Sequence, residues 1–591
     1  MILQSLTKYY EVLREKGEIA PRYYAKTSVS YKLVLSEAGE LIELLPLKIT
    51  EARGTKSVDR PQPLNLPEPV VRSSGVLPNF LWDNAMYLLG LDAKGDAARA
   101  LRCFESAKQL HLDILGALES KTAKAICAFF SAWLPDSAAE HPVVRRHLEG
   151  LKSGGNIAFA RIDVGYAFEE EAIRSTWERY RAENESAFHA QCLVTGLTDQ
   201  PIETVHPKVK GVQGGQSVGT SLVSANATAF ESYGLVSNRN APVCEYAAFA
   251  YTSALNHLIA DFDRRMSLDG DTVVCWAENG ESLYQDIFLQ FASPRAKTEK
   301  DVSDAMRSIV SGQPVDLASI EPETPFYILC LSPNAARVSV RFFLRDSFGN
   351  IAKNLGAHYR NLEIAMAPNE WPYLSPYWML KETAPPGSKD DAASPLLAGA
   401  TLRAILSGAP YPAALYASML IRVRADRVVN RVRAATIKAY LTKNISPGHP
   451  EYKEVLQVAL NEQSTRKPYV LGRLFALLEQ AQESANPNIN ATITDRYFDS
   501  ACATPKLAFP TLLKLNRHHL AKDEKRGWRN ERLIGALIGK LEVEDDPYPA
   551  RLSLEEQGLF ILGYYHQKQT RYQKKDEPTQ DQKSEKEMES K

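Results

Sequence analysis

The segment VKGVQGGQSVGTS (209–221) concentrates residue types that could touch a phosphate or a nucleic-acid base. Gly211, Gly214, Gly215 and Gly219 lack a Cβ, so backbone N–H groups there can approach a phosphate or a groove floor. Gln213 and Gln216 carry amides that both donate to and accept from base edges, and Ser217 stands beside them. Lys208 and Lys210 come just before, and Asn226 follows. The plainer reading is a glycine turn leading into a strand. Thiol chemistry has one conceivable set, Cys192 or Cys244 with His206 and Asn226, but nothing local supports it and a buried inert cysteine is the commoner outcome. His518 and His519 are adjacent and point to different helix faces, which argues against a shared metal. GALIGKL (535–541) has the Gly-Lys of a phosphate loop without its spacing or its Ser/Thr. No HExxH and no GxSxG occur. No catalytic residue, metal site or cofactor is expected.

The elements that must position these residues follow from periodicity. YKLVL (31–35) and LIELL (41–45) flank a five-residue turn and predict a hairpin. Five prolines between 50 and 80 predict an irregular loop there, with Arg53, Lys56, Arg60 and Arg72 on it. Helical periodicity covers 97–118, and NIAFARIDV (156–164) reads as a strand. FYILCL (326–331) and RVSVRFFLR (337–345) predict a second hairpin, with Arg337, Arg341 and Arg345 alternating along one strand. The fold class expected is α+β: a mixed N-terminal α/β region with antiparallel hairpins, then an all-α C-terminal helical bundle. The boundaries expected are 1–150 with the Pro-rich basic loop, 151–380 with the Gly-rich loop, a linker at 381–395, the bundle at 396–566 and a disordered tail at 567–591.

The chain has 591 residues, with 70 Lys and Arg against 71 Asp and Glu. That balance excludes a coat protein that binds nucleic acid through bulk charge. The charge is nevertheless gathered. Residues 420–443 hold seven basic residues and one acid. Taken as one helix, they place Arg424, Arg427, Arg431 and Lys438 within about 60° of one another, a basic ridge. Residues 505–540 hold nine basic residues and three acids, with Lys514, His518, Lys522, Lys525 and Arg529 at helical spacing. Seven cysteines without a CxxC pair give neither a zinc ribbon nor a disulfide scaffold. The first residues lack the apolar core of a signal peptide, and no apolar run is long enough to span a bilayer. A cytosolic chain without membrane contact is expected.

Several segments carry a family resemblance: RSSGVLPNFLWDNAMYLLG (72–90), the block 192–258, SPNAARVSVRFF (332–343), YVLGRLFALLEQAQ (469–482) and EEQGLFILGYYHQKQ (555–569). In these, over nearly its whole length, the chain resembles the large subunit of the type I-C CRISPR surveillance complex, Cascade. The resemblance implies a non-enzymatic subunit in the prokaryotic cytoplasm, beside the guide-RNA-bound backbone subunits and the subunit holding the guide's 5′ end. It implies inspection of target duplex DNA for a protospacer-adjacent motif, strand opening into an R-loop, retention of the displaced strand and docking of a helicase–nuclease. It also implies a small subunit made from the C-terminal part of the same gene, for which Met419 is an in-frame candidate start, and anti-CRISPR inhibitors as further partners. Guide pairing would read sequence while protein reads the short motif. Polar loops suit the duplex, so Arg53, Lys56, Arg72, Asn79, Lys208, Lys210, Gln213, Gln216, Ser217 and Asn226 are the residues expected there. Basic helices suit the displaced strand, so Arg424, Arg427, Arg431, Lys438, Lys514, Lys522, Lys525 and Arg529 are expected on it. The alternative from a different class is a cytosolic enzyme binding a nucleotide or phosphate with the 211–219 loop.

Overall fold

The computed structural model describes residues 1–570 apart from 54–55, 71–74, 93–94, 184–187, 263, 293–319, 369, 388–393, 488, 524–526 and 542–545. The chain is α+β and divides into two compact units. Met1–Lys208 with Val223–His257 form the first; Val209–Leu222 with Leu258–Lys591 form the second.

In the first unit the predicted hairpin forms. After β1 (Tyr24–Val29), β2 (Tyr31–Leu35) pairs antiparallel with β3 (Leu41–Pro46). Its turn needs Gly39, which has φ +86° and lies where a Cβ would stand 2.6 Å from Ala125 O. β4 (Lys48–Arg53) and β5 (Lys56–Pro67) then replace the irregular loop expected over 50–80. The prolines did not prevent this because β5 has one neighbour at a time. Its first half pairs with β4 and its second half with β1, so a missing N–H can face the open side. β6 (Trp82–Asn84) and β7 (Asn156–Arg161) complete a sheet in the order β3-β2-β7-β6. β2 and β7 run parallel, which requires a long crossover, and the helices Ala97–Leu115 and Lys121–Ala132 lie within it. Beneath the sheet Phe104, Phe129, Phe130, Phe159 and Trp177 form the core. Three two-residue strands follow: β8 (Gly165–Tyr166), β9 (His189–Ala190) and β10 (Gln200–Pro201).

The second unit is built on an antiparallel sheet of β11 (Arg265–Leu268), β12 (Asp271–Ala277), β13 (Pro325–Asn334) and β14 (Arg337–Ser347). The β13–β14 hairpin is the one expected, with an irregularity at Cys330/Leu331 that leaves Arg341 without a paired residue. Arg341 lies 3.6 Å from the buried Asp271 carboxylate and donates to Ser332 Oγ at 2.9 Å. The C-terminal region is helical, as expected. It does not stand apart from the sheet, however. One continuous core runs from Met266 on β11 through Phe326 on β13 to Tyr565, so the boundary placed at 381–395 falls inside this unit. Its centre is the helix Lys467–Ala485 against Leu554–Gln569. A Cβ on Gly472 would sit 1.9 Å from Phe560 O, and one on Gly563 would sit 2.1 Å from Tyr469 O. The two backbones touch, and only glycine permits it. Residues 571–591, most of the segment read as a disordered tail, lie outside the described residues.

Candidate nucleic-acid interface

The basic segment 420–443 is not one helix. The helix Ala413–Asp426 ends at Arg427, whose φ of +57° is left-handed, and a new helix, Arg431–Tyr440, starts at Asn430. Asn430 Oδ1 accepts from the Arg433 N–H at 2.9 Å, an N-cap. The wheel that aligned Arg424, Arg427, Arg431 and Lys438 therefore loses its phase between the second residue and the third.

Most of that charge is spent internally. Arg433 is buried and bonds Glu382 and Asp426, both at 2.7 Å, while Arg422 also reaches Asp426. Arg424 is ion-paired with Asp499, which holds its guanidinium above the usual arginine value. Arg431 donates to the carbonyls of Trp371 and Pro372. Lys438 is 3% exposed, donates to Asn361 O at 3.0 Å, and is lowered to about 8 by burial. The exposed basic ridge expected here is thus absent; Arg427 alone of its four residues is exposed.

The second segment keeps its charge outside. The helices Pro505–Lys522 and Gly527–Leu541 pack together and bury Phe509, Leu512, Ile534 and Leu537. Their outward residues include Lys514, Arg517, His518, Lys522, Arg529 and Arg532. Lys522 donates to Asn486 Oδ1 at 2.7 Å. Arg517, Arg529 and Arg532 have no ion-pair partner among the described residues. Trp528, on the second of these helices with Arg529 next to it and Arg532 four residues on, is 66% exposed. A cationic helix pair that also bears an exposed indole offers both phosphate neutralisation and base stacking. Lys525 lies outside the described residues. Sequence reasoning missed Trp528, Arg517 and Arg532, although the four-residue step from Trp528 to Arg532 was a readable signal.

The duplex candidates meet different fates. Arg53 ends β4 and Lys56 opens β5, paired across that hairpin's tip. Arg72 lies outside the described residues. Asn79 is 4% exposed and accepts from the Val70 N–H at 2.9 Å, while its own N–H meets Asp83. It therefore holds a turn, and is not the surface contact expected. Lys208 and Asn226 are exposed in the first unit; Lys210, Gln216 and Ser217 are exposed in the second. Gln213 is exposed but engaged, since its N–H donates to Thr272 Oγ1 at 3.0 Å and its side chain meets Ser267 Oγ. Tyr233 was missed. It is fully exposed at a tight turn where it and Gly234 both have positive φ and the Leu235 N–H closes on Ser232 O at 2.9 Å.

The thiol set does not assemble as a nucleophile and base. Cys192 Sγ accepts from the N–H groups of Cys244 at 3.2 Å and Thr195 at 3.5 Å, and His206 Nδ1 is bonded to Tyr251 OH at 2.7 Å. Among the described residues no cluster of three metal-ligating side chains occurs, and no helix is long and apolar enough to cross a membrane.

Compared with known families, residues 6–572 match the model of the CRISPR-associated protein family Cas_Csd1. The chain belongs to that CRISPR-associated family. No curated protein matches this Cas_Csd1 chain. Among the described residues, the groups left open to a partner include the Trp528 surface, the Gln216–Ser217 loop tip and the Tyr233 turn.

Proposed function

We propose that this Cas_Csd1 chain is the large, non-catalytic subunit of an RNA-guided type I-C Cascade. In this reading it meets target duplex DNA at the protospacer-adjacent motif through the Gly-rich loop and assists R-loop formation. It then carries the displaced strand on the helices Pro505–Lys522 and Gly527–Leu541. Its partners are the guide-RNA-bound backbone subunits, the subunit at the guide's 5′ end, a small subunit from the same gene's C-terminal part, and a recruited helicase–nuclease. All act in the prokaryotic cytoplasm.

The observation that carries the reading is a helix pair that exposes both the Trp528 indole and Arg517, Arg529 and Arg532, on a chain whose other large basic segment is turned inward. Stacking is indifferent to base identity and the cations follow phosphates, which suits a strand that must be held whatever its sequence. In the reconstituted complex, Trp528→Ala is expected to weaken retention of the displaced strand by about 1–3 kcal/mol, read as footprint protection or fluorescence of a labelled non-target strand. Unchanged protection would take this surface off the strand's path.

A further inference from the structure

The Gly-rich loop is fastened at its base. Val209 and Thr220 exchange backbone hydrogen bonds of 2.7 Å in both directions. Ser221 then adds to the edge of β14, its N–H donating to Ala336 O at 2.9 Å and its carbonyl accepting from the Val338 N–H at 3.0 Å. Above this base, three residues of the β11–β12 hairpin and its approach hold the ascending limb. Arg265 Nη1 donates to Gly211 O at 2.9 Å and to Ile259 O at 3.0 Å, with its guanidinium 3.9 Å over the Phe262 ring. Thr272, buried on β12, accepts the Gln213 N–H, and Ser267 on β11 meets the Gln213 side-chain oxygen. Past Gln213 the chain makes two tight turns, closed by Gly215 N–H on Val212 O at 3.0 Å and Gly219 N–H on Gln216 O at 2.9 Å. Gln216, Ser217 and Val218 are left at the exposed tip.

We infer that Thr272 and Ser267, which hold Gln213, and Arg265, which holds Gly211, are positioning residues that anchor the ascending limb, so that Gln216 and Ser217 are presented to the duplex in a preformed loop. This rests on the reading of the loop as the motif contact. The backbone N–H and the side-chain oxygen of Gln213 are committed to the sheet, which leaves only its Nε2 to face a base edge. Gln216 and Ser217 carry the open donors and acceptors. Holding the limb in advance removes the ordering cost that a free glycine loop would meet on binding, a cost that is largest for glycine. Thr272 matters most, because its hydroxyl receives a backbone N–H from a floor position that solvent does not reach.

The test uses the full chain in its reconstituted complex and compares motif-bearing with motif-lacking duplexes. Gln216→Ala with Ser217→Ala should lower the affinity ratio about tenfold or more. Thr272→Val, near-isosteric but without the acceptor, should lower the ratio toward the same level while binding to motif-lacking duplex and thermal unfolding stay unchanged. Thr272→Ser should restore the ratio. Hydrogen exchange on the isolated full chain supplies a second readout: Thr272→Val should speed exchange at the Gln213 amide about tenfold, and Thr272→Ser should not. If the tip variant loses discrimination and Thr272→Val keeps it, the positioning role is overturned and the loop remains the motif contact. If neither variant alters the ratio, the loop is not the motif contact, and the positioning claim goes with it. Wild-type exchange in Thr272→Val would overturn the anchor whatever the binding shows.

Discussion

Three histidines share one arrangement. His206, His358 and His566 are buried, and each has Nδ1 bonded to a tyrosine hydroxyl: Tyr251 at 2.7 Å, Tyr411 at 2.7 Å and Tyr469 at 2.9 Å. Each Nε2 is buried without a hydrogen-bond partner. Burial disfavours the imidazolium and lowers them to about 4, about 3 and about 4. Because the unfolded chain takes up these protons near pH 6.5 and the folded chain does not, stability is full above that value and falls as pH drops toward 4. Denaturant midpoints measured between pH 7 and pH 4 should decline in that direction, and His566→Gln should flatten part of the decline. A wild-type curve level down to pH 4 would mean these rings are not held neutral. None of this was visible in sequence, where a lone histidine carries no sign of its burial.

At the scale of elements, closeness of approach decides more than charge. The helices Lys467–Ala485 and Leu554–Gln569 are centred on Gly472 and Gly563, each facing a carbonyl of the other helix. Gly472→Ala places a methyl where Phe560 O stands and should lower stability by about 1–3 kcal/mol or more, read as a shift in thermal unfolding. Gly535→Ala serves as the control, since a Cβ there meets nothing within 4 Å. Equal melting of the two variants would refute the close contact. Element types were largely legible: both hairpins and the helical C-terminal half follow from period-2 and helical patterning. Two elements misled. The prolines of β5 read as a loop because sequence does not show that each half of a strand has a single neighbour. The break at Arg427 was missed because the helical spacing of charges continues across it, although Asn430 was a usable capping signal.

For the whole molecule, a net charge of −1 hides two basic segments with opposite fates. In 420–443 Arg422, Arg424, Arg431, Arg433 and Lys438 bond carboxylates and carbonyls within the unit. In 505–540 Arg517, Arg529 and Arg532 stay exposed on helices that also expose Trp528. Sequence located both concentrations and could not rank them, because charge counts do not show where acceptors lie in space: Glu382, Asp499 and the Trp371 carbonyl are all distant along the chain. The most direct test of the account is the salt dependence of displaced-strand binding in the reconstituted complex. With Arg517, Arg529 and Arg532 changed together to Ala, the slope of log K against log salt should fall by about 2, near 0.7 for each single-strand phosphate that is no longer neutralised. Arg424→Ala, whose guanidinium is already paired with Asp499, should leave the slope at the wild-type value. A wild-type slope in the triple variant, or a reduced slope confined to Arg424→Ala, would contradict the account.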